Sequence, residues 1–137
     1  MRTFRRTLCH LSMRNSIVAI ACLGMAIPAV AEVIEVKLGP GVTLEKRLIL
    51  QPGKFAELCA DLKSGQTVAW RFNAAASTDF NIHYHVGKQV EYPERREGVS
   101  NASGRLVVGS DQGYCWMWIN RSAVPIALDV ALSDTGA

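Results

Sequence analysis

Two pairs of potential metal ligands stand out in the chain, and both pairs have the spacing i, i+2. His83 and His85 form one pair, and Cys115 and Met117 form the other. Residues two apart on a β-strand share a face, because successive side chains alternate. If the two strands are neighbours, two imidazoles, a thiolate and a thioether converge. That ligand set suits copper, so the spacing predicts a copper site on one face of a sheet.

The segments that carry these pairs alternate like strands, with large apolar residues at the intervening positions. Those apolar residues are Phe80, Ile82, Tyr84 and Val86 in segment 79–86, and Tyr114, Trp116 and Trp118 in segment 114–120. If they form the core, both ligand pairs point outward. The same pattern favours the tryptophans, with Trp70 as the third, as core residues rather than a sugar-binding surface.

Residues 1–31 have the three-part layout of a secretory signal peptide. Four arginines lie within the first 14 residues, and Ile17 to Ala26 is an apolar run. Ala29-Val30-Ala31 then provides the small residues of a cleavage site. The run is shorter than the roughly 20 residues that span a bilayer. We therefore expect cleavage after Ala31, a mature domain at residues 32–137 without a membrane span, and a periplasmic or secreted location. A lipid-modified Cys22 is the alternative.

The charge balance of the mature part argues against a nucleic-acid partner. The whole chain has 15 basic and 12 acidic residues, for a net charge of +3. Removing the four arginines of the signal leaves 11 basic against 12 acidic residues, or −1. No basic footprint for nucleic acid remains.

Cys59 and Cys115 are the cysteines that remain after residue 31. In an oxidising compartment two cysteines predict a disulfide. A disulfide would take Cys115 out of the copper site and leave a weaker site of His83, His85 and Met117. The role of Cys115 as ligand or bridge stays open.

Short segments between turn residues predict an all-β domain. The candidate strands are 33–38, 43–50, 55–62, 67–73, 79–86, 104–108, 114–120 and 124–132. Segment 55–62 also fits a helical turn. Residues 74–78 are expected to be a connection, and residues 87–103 a surface excursion, with a short edge strand as an alternative. Seven or eight short strands with frequent turns indicate an antiparallel β-sandwich.

The second half of the chain resembles a GOLD domain, a small β-sandwich of Golgi-trafficking receptors and some lipid-transfer proteins. The resemblance covers about residues 65–132. It rests on the segments Gly65-Gln66-Thr67-Val68-Ala69-Trp70, Asp79-Phe80-Asn81-Ile82 and 113–122. It implies the fold and a Cys59–Cys115 pairing similar to that of the trafficking members, but no activity.

No catalytic motif occurs in the chain, which lacks a nucleophile elbow, an HExxH sequence and a phosphate loop. The sequence therefore predicts a non-enzymatic binding protein. Copper handling through His83, His85, Met117 and Cys115 is one hypothesis. The other is a disulfide-stapled module without metal, which binds an envelope protein or ligand through residues 87–103.

Overall fold

The computed structural model describes residues 32–136, which form seven β-strands. The strands are β1 (Glu32–Glu35), β2 (Thr43–Leu50), β3 (Phe55–Leu62), β4 (Thr67–Val86), β5 (Gln89–Val107), β6 (Gln112–Ile119) and β7 (Ile126–Asp134). The predicted signal peptide lies outside the described residues. Within residues 32–136, no helix is long and apolar enough to cross a membrane. The all-β class and the number of strands predicted from the sequence are confirmed.

One long strand, β4, organises the topology. The order of the strands is β1-β3-β6-β4-β7-β2, and β5 pairs with β4 outside this path. Residues 68–74 of β4 pair with β7, whereas residues 79–84 pair with β6. The register of the β4–β5 pair shifts between these two stretches. All pairs are antiparallel except β1–β3.

The two halves of β4 meet in an aromatic core. The ring of Phe80, on the second half, lies 4.9 Å from the rings of both Trp70 and Phe72 on the first half. Trp118 of β6 lies 5.5 Å from the same ring. Trp70, Trp116 and Trp118 are all buried, as the alternation predicted. The sheet therefore curls into a sandwich-like structure, with the alternate residues of β4 and β6 facing inward.

The prediction that residues 74–78 form a connection was wrong. Strand β4 runs unbroken through them, and its partner changes there from β7 to β6. The surface excursion expected at residues 87–103 is instead most of β5, an edge strand much longer than the short one that the sequence allowed. Segment 55–62, which the sequence left ambiguous, is strand β3.

The composition of β5 fits its place at an edge of the sheet. It pairs with β4 alone, so its other side faces no strand within the described residues. It contains Pro93 and a run of charged residues, and shifts of its register with β4 accompany them. Proline, charge and bulges are common on edge strands because they discourage pairing with other chains. The same features made the segment look like a loop.

Candidate functional site

The two predicted ligand pairs lie on neighbouring strands, at the outer face of the sheet. In the β4–β6 pair, His83 is directly opposite Cys115 and Asn81 is directly opposite Met117. Strand β3 continues both rows on the far side of β6, with Cys59 opposite Cys115 and Glu57 opposite Met117. The result is a grid of six residues on three strands: Glu57, Met117 and Asn81 in one row, and Cys59, Cys115 and His83 in the other.

Cys115 is bonded to Cys59, which confirms the predicted disulfide. The two residues are directly opposite on β3 and β6, with their Cα atoms 4.1 Å apart. Sγ of Cys115 lies within 4.8 Å of the ligand atoms of Glu57 and His83. That proximity alone suggests a three-ligand metal cluster. A disulfide sulfur carries no thiolate charge, however, and the thiolate is the metal-binding form. With the disulfide intact, Cys115 is not an effective ligand.

His83 is buried at the centre of this face, with a fixed orientation. Only 7% of the residue is exposed. Its Nδ1 lies 2.9 Å from Oδ1 of Asn81. An amide oxygen only accepts hydrogen bonds, so Nδ1 carries the hydrogen and Nε2 keeps the lone pair. Nε2 faces Glu57, whose Oε2 is 3.7 Å away.

The electrostatics of His83 and Glu57 do not favour a charged pair, although their separation would permit one. Burial lowers the pKa of His83 below its usual 6.5, and repulsion from His85 lowers it further. Burial also raises the pKa of Glu57 above 4.5; the charge of His85 opposes this shift and that of Glu35 adds to it. Removal of both groups from water disfavours the charged form of each. At neutral pH His83 is therefore the neutral imidazole.

His85 and Met117, the remaining predicted ligands, lie on either side of this centre. His85 is exposed, and its ring centroid lies 5.5 Å from that of His83. Met117 is half-buried between Glu57 and Asn81, in the row next to Cys115. The structure thus brings His83 close to Cys115, and places Met117 next to Cys115 along β6 and diagonally from His83.

The β4–β5 hairpin extends this face beyond the sheet. The last pairing of β4 with β6 is at Tyr84, but β4 continues to Val86 and pairs only with β5. Gly87, with φ of 60°, begins a two-residue turn. Glycine at this position suits the type II′ hairpin turn.

Three exposed residues of β5 lie beside the histidines on the hairpin. Val90 is paired with His85, and the ring of Tyr92 lies 6.0 Å from that of His83. The guanidinium of Arg95 stacks over the Tyr92 ring at 4.3 Å. We call Val90, Tyr92 and Arg95 the hairpin face.

The sequence did not single out Glu57 or Asn81, whereas the hairpin face lies within residues 87–103, which the sequence suggested as a binding segment. Glu57 shares the i, i+2 spacing with Cys59, and Asn81 shares it with His83. That signal was therefore present on both strands. It depended on recognising segment 55–62 as a strand and on knowing that β6 lies between β3 and β4.

No protein-family model matches the chain, and neither does any curated protein sequence. Among solved structures, PliG of Aeromonas hydrophila, a periplasmic inhibitor of g-type lysozyme, is similar with a TM-score of 0.53. The two are 16% identical, over 76% of this chain and 100% of the inhibitor. PliG of Salmonella Typhimurium has a TM-score of 0.52 and 10% identity, over 77% and 99% of the two chains.

A third similar structure is the pre-peptidase C-terminal domain of a Bacillus anthracis collagenase. It has a TM-score of 0.50 and 13% identity, over 76% of this chain and 95% of the domain. At identities this low, the likeness of all three shows the fold alone.

Proposed function

We propose that this chain is an exported, non-enzymatic protein that binds another protein through its hairpin face, and that a g-type lysozyme is such a partner. The observation that carries the proposal is the exposed apolar and aromatic surface along β5. Val90 lies on the hairpin tip that projects past β6, and Tyr92 and Arg95 continue this surface along the edge strand. The similarity to two lysozyme inhibitors over nearly their whole length supports the choice of partner.

The chemistry of the hairpin face suits a protein partner. Val90 is 37% exposed and Tyr92 is 44% exposed. Tyrosine and arginine are enriched among the residues that dominate binding energy, because they bury a large area and keep a polar end. The stacking of Arg95 on Tyr92 holds both side chains before binding, so less conformational entropy is lost on association.

The shape of the hairpin suits a cleft, such as the substrate cleft of a glycoside hydrolase. A two-stranded ribbon that projects from a sheet can enter a groove that a flat face cannot. Glycoside hydrolases carry a pair of carboxyl groups at the scissile bond. Arg95 lies opposite Asn81, beside the sheet rather than on the projecting tip, so it would meet such groups at the mouth of a cleft. Its guanidinium is complementary to them, because it forms paired hydrogen bonds with a carboxylate.

An exported location is part of the same proposal. The signal-like segment at residues 1–31 and the Cys59–Cys115 disulfide both support it, because disulfides persist in oxidising compartments. Copper handling, the other function that the sequence suggested, is less favoured because its thiolate ligand is bonded to Cys59. The GOLD-domain resemblance stays a prediction about the fold.

The test is whether purified residues 32–137 inhibit a g-type lysozyme. The activity of the enzyme is measured as the loss of turbidity of a peptidoglycan suspension. Hen egg-white lysozyme, a c-type enzyme, serves as the comparison. The double variant Tyr92→Ala/Arg95→Ala removes the core of the hairpin face. A matched control, Arg47→Ala/Val107→Ala, removes an exposed arginine and an exposed apolar residue elsewhere.

We expect inhibition by the native chain and by the control, and a loss of at least tenfold in affinity for the hairpin variant. Loss of two binding residues at the centre of an interface typically costs 2 kcal/mol or more, roughly 30-fold. If the native chain leaves g-type lysozyme fully active, the choice of partner is wrong. If the hairpin variant inhibits as well as the control, the hairpin face is not the binding surface.

A further inference from the structure

A second group of polar side chains lies on this side of the sheet, and none of its members belongs to the hairpin face. Glu57, His83 and His85 come together beside it, from strands β3 and β4. His83 is 7% exposed and the side chain of Glu57 is 14% exposed, whereas His85 is open to solvent. One buried and one half-buried ligand, with an exposed ligand beside them, leave a route by which an ion can reach the site.

The imidazole of His83 is held as a metal ligand would be. Its Nδ1–H donates to Asn81, which leaves the Nε2 lone pair free and directed toward Glu57. Histidines that bind metal usually donate their other ring N–H to an oxygen, which fixes the tautomer and the orientation of the ring. Asn81, itself 6% exposed, is such a partner.

The distance between the ligand atoms of His83 and Glu57 fits a shared ion. Nε2 of His83 and Oε2 of Glu57 are 3.7 Å apart. Ligand atoms bound at about 2.0–2.1 Å in tetrahedral geometry are about 3.4 Å apart. A movement of a few tenths of an ångström brings both onto one ion. Neither atom has a hydrogen-bond partner within the described residues that would be lost.

His85 is positioned to be the third ligand. Its ring lies edge to face with His83, with centroids 5.5 Å apart. Because it is exposed, rotation about its side-chain bonds brings a ring nitrogen toward the same ion. Two histidines and a glutamate form a known ligand set for zinc, with a fourth position left for water.

From this geometry we propose that Glu57, His83 and His85 form a binding site for a divalent transition-metal ion, positioned by Asn81. Imidazole and carboxylate ligands accept Zn²⁺ and Cu²⁺, and the order of stability of such complexes places Cu²⁺ above Zn²⁺. The site differs from the copper site predicted from the sequence, because Glu57 replaces the sulfur ligands Cys115 and Met117. Without sulfur it favours Cu²⁺ over Cu⁺.

The test is isothermal titration of metal-free, disulfide-intact residues 32–137 with Zn²⁺ and with Cu²⁺. We expect one ion per chain. His83→Gln and Glu57→Gln should each weaken binding by at least tenfold, and Asn81→Ala by about 10–100-fold. Glu91→Gln is the matched control, because Glu91 is an exposed acid on the same hairpin, paired with Tyr84 rather than with the histidines.

Long-range ¹H–¹⁵N correlation spectra of the histidine rings give a readout independent of affinity. The metal-free protein should show His83 with its proton on Nδ1, and Zn²⁺ should shift Nε2. Circular dichroism of each metal-free variant establishes that it is folded. The proposal is overturned if the native chain binds no ion, if His83→Gln and Glu57→Gln bind as tightly as Glu91→Gln, or if Zn²⁺ leaves the His83 nitrogens unchanged. Lysozyme inhibition is not a readout here, so failure of either proposal leaves the other standing.

Discussion

Glu57 on β3 and His83 on β4 face each other across β6, the strand that separates them, with Oε2 and Nε2 3.7 Å apart. Adjacent strands lie about 4.8 Å apart, so two side chains must span two strand spacings to meet. They do so above Cys115, whose side chain is bonded sideways to Cys59. The disulfide thus lies beneath the two polar groups at the point where they meet. Several properties of the protein depend on this arrangement.

Protonation of His83 should make the metal-free protein less stable in acid. Its pKa is lowered in the fold, so the unfolded chain binds the proton first as the pH falls. The stability associated with neutral His83 is fully present above pH 6.5 and is lost as the pH falls through the lowered pKa. Urea denaturation in EDTA between pH 5 and 8 should show this slope in the native chain, and a smaller one in His83→Gln. An equal slope in both would contradict the assignment.

Glu57 should have the opposite dependence. Its pKa is raised in the fold, so the folded chain binds the proton more readily than the unfolded chain. Its contribution is present below pH 4.5 and is lost as the pH rises through the raised pKa. In EDTA at pH 8, Glu57→Gln should therefore be more stable than the native chain, with the gain shrinking toward pH 4. A loss of stability at pH 8 would show that the ionised carboxylate is well paired in the fold.

The sequence predicted which face of β4 and β6 carries the candidate site, but not all the residues that lie there. Alternation with period two correctly placed Phe80 on the core face and His83 on the opposite face. It did not show that His83 is itself buried on that face. It placed Val86 inside wrongly, because the end of β4 runs past β6 and the residue is 49% exposed. A local pattern describes which residues share a face. It does not show where a neighbouring strand ends.

The sequence pattern did not show which strands are neighbours in the sheet. The adjacency of β3, β6 and β4 brings Glu57 to His83, residues that are far apart along the chain. Segment 55–62 also fits a helix by composition, so the outward face of β3 was not considered. The cysteines were the exception, because a disulfide is a long-range contact that residue type and compartment predict.

Loss of the disulfide should cost the domain a large part of its stability. Cys59 and Cys115 are 56 residues apart in sequence. The chain-entropy relation gives roughly 4 kcal/mol for closing a loop of that length. We expect Cys59→Ala/Cys115→Ala to lower the free energy of unfolding by about 2–4 kcal/mol in urea denaturation. Addition of a reductant should affect the native chain and leave the variant unchanged. A variant as stable as the native chain would mean that the bond contributes only to local geometry.

Freeing Cys115 should convert the proposed metal site into one that contains sulfur. Sγ of Cys115 lies within 4.8 Å of the ligand atoms of Glu57 and His83. In Cys59→Ser its thiol is no longer bonded, and metal binding favours the thiolate. Co²⁺ bound to this variant should show a sulfur-to-metal charge-transfer band that is absent from the disulfide-intact chain and from Cys59→Ser/His83→Gln. A band that persists without His83 would place the ion elsewhere.

A side chain at residue 104 should disrupt the packing of Trp70. Gly104 is directly opposite Trp70 in the β4–β5 pair, and a Cβ atom there would come within 2.6 Å of the indole ring. Trp70 is 4% exposed and packs on Phe80, so it has little room to move. Overpacking of this kind costs about 1–3 kcal/mol.

Gly109→Ala is the matched control for Gly104→Ala, because a Cβ at residue 109 meets nothing within 4 Å. We expect thermal unfolding to show a lower midpoint for Gly104→Ala and less than about 0.5 kcal/mol of change for the control. Equal midpoints for the two variants would mean that the ring shifts freely.

Asn120 should be essential for the connection between β6 and β7. It is fully buried; its Nδ2 donates to the carbonyls of Leu50 and Val124 at 3.0 and 2.7 Å, and its Oδ1 accepts from the backbone N–H of Ser122 at 2.8 Å. Asn120→Ala leaves these groups without partners, at a cost of about 1–3 kcal/mol for each one that stays buried. Urea denaturation should show a loss of about 3 kcal/mol.

Exposed Asn101→Ala should change stability by less than about 0.5 kcal/mol. A small effect at residue 120 would mean that water replaces the amide, and hydrogen exchange of the Ser122 amide would then rise without a loss of global stability.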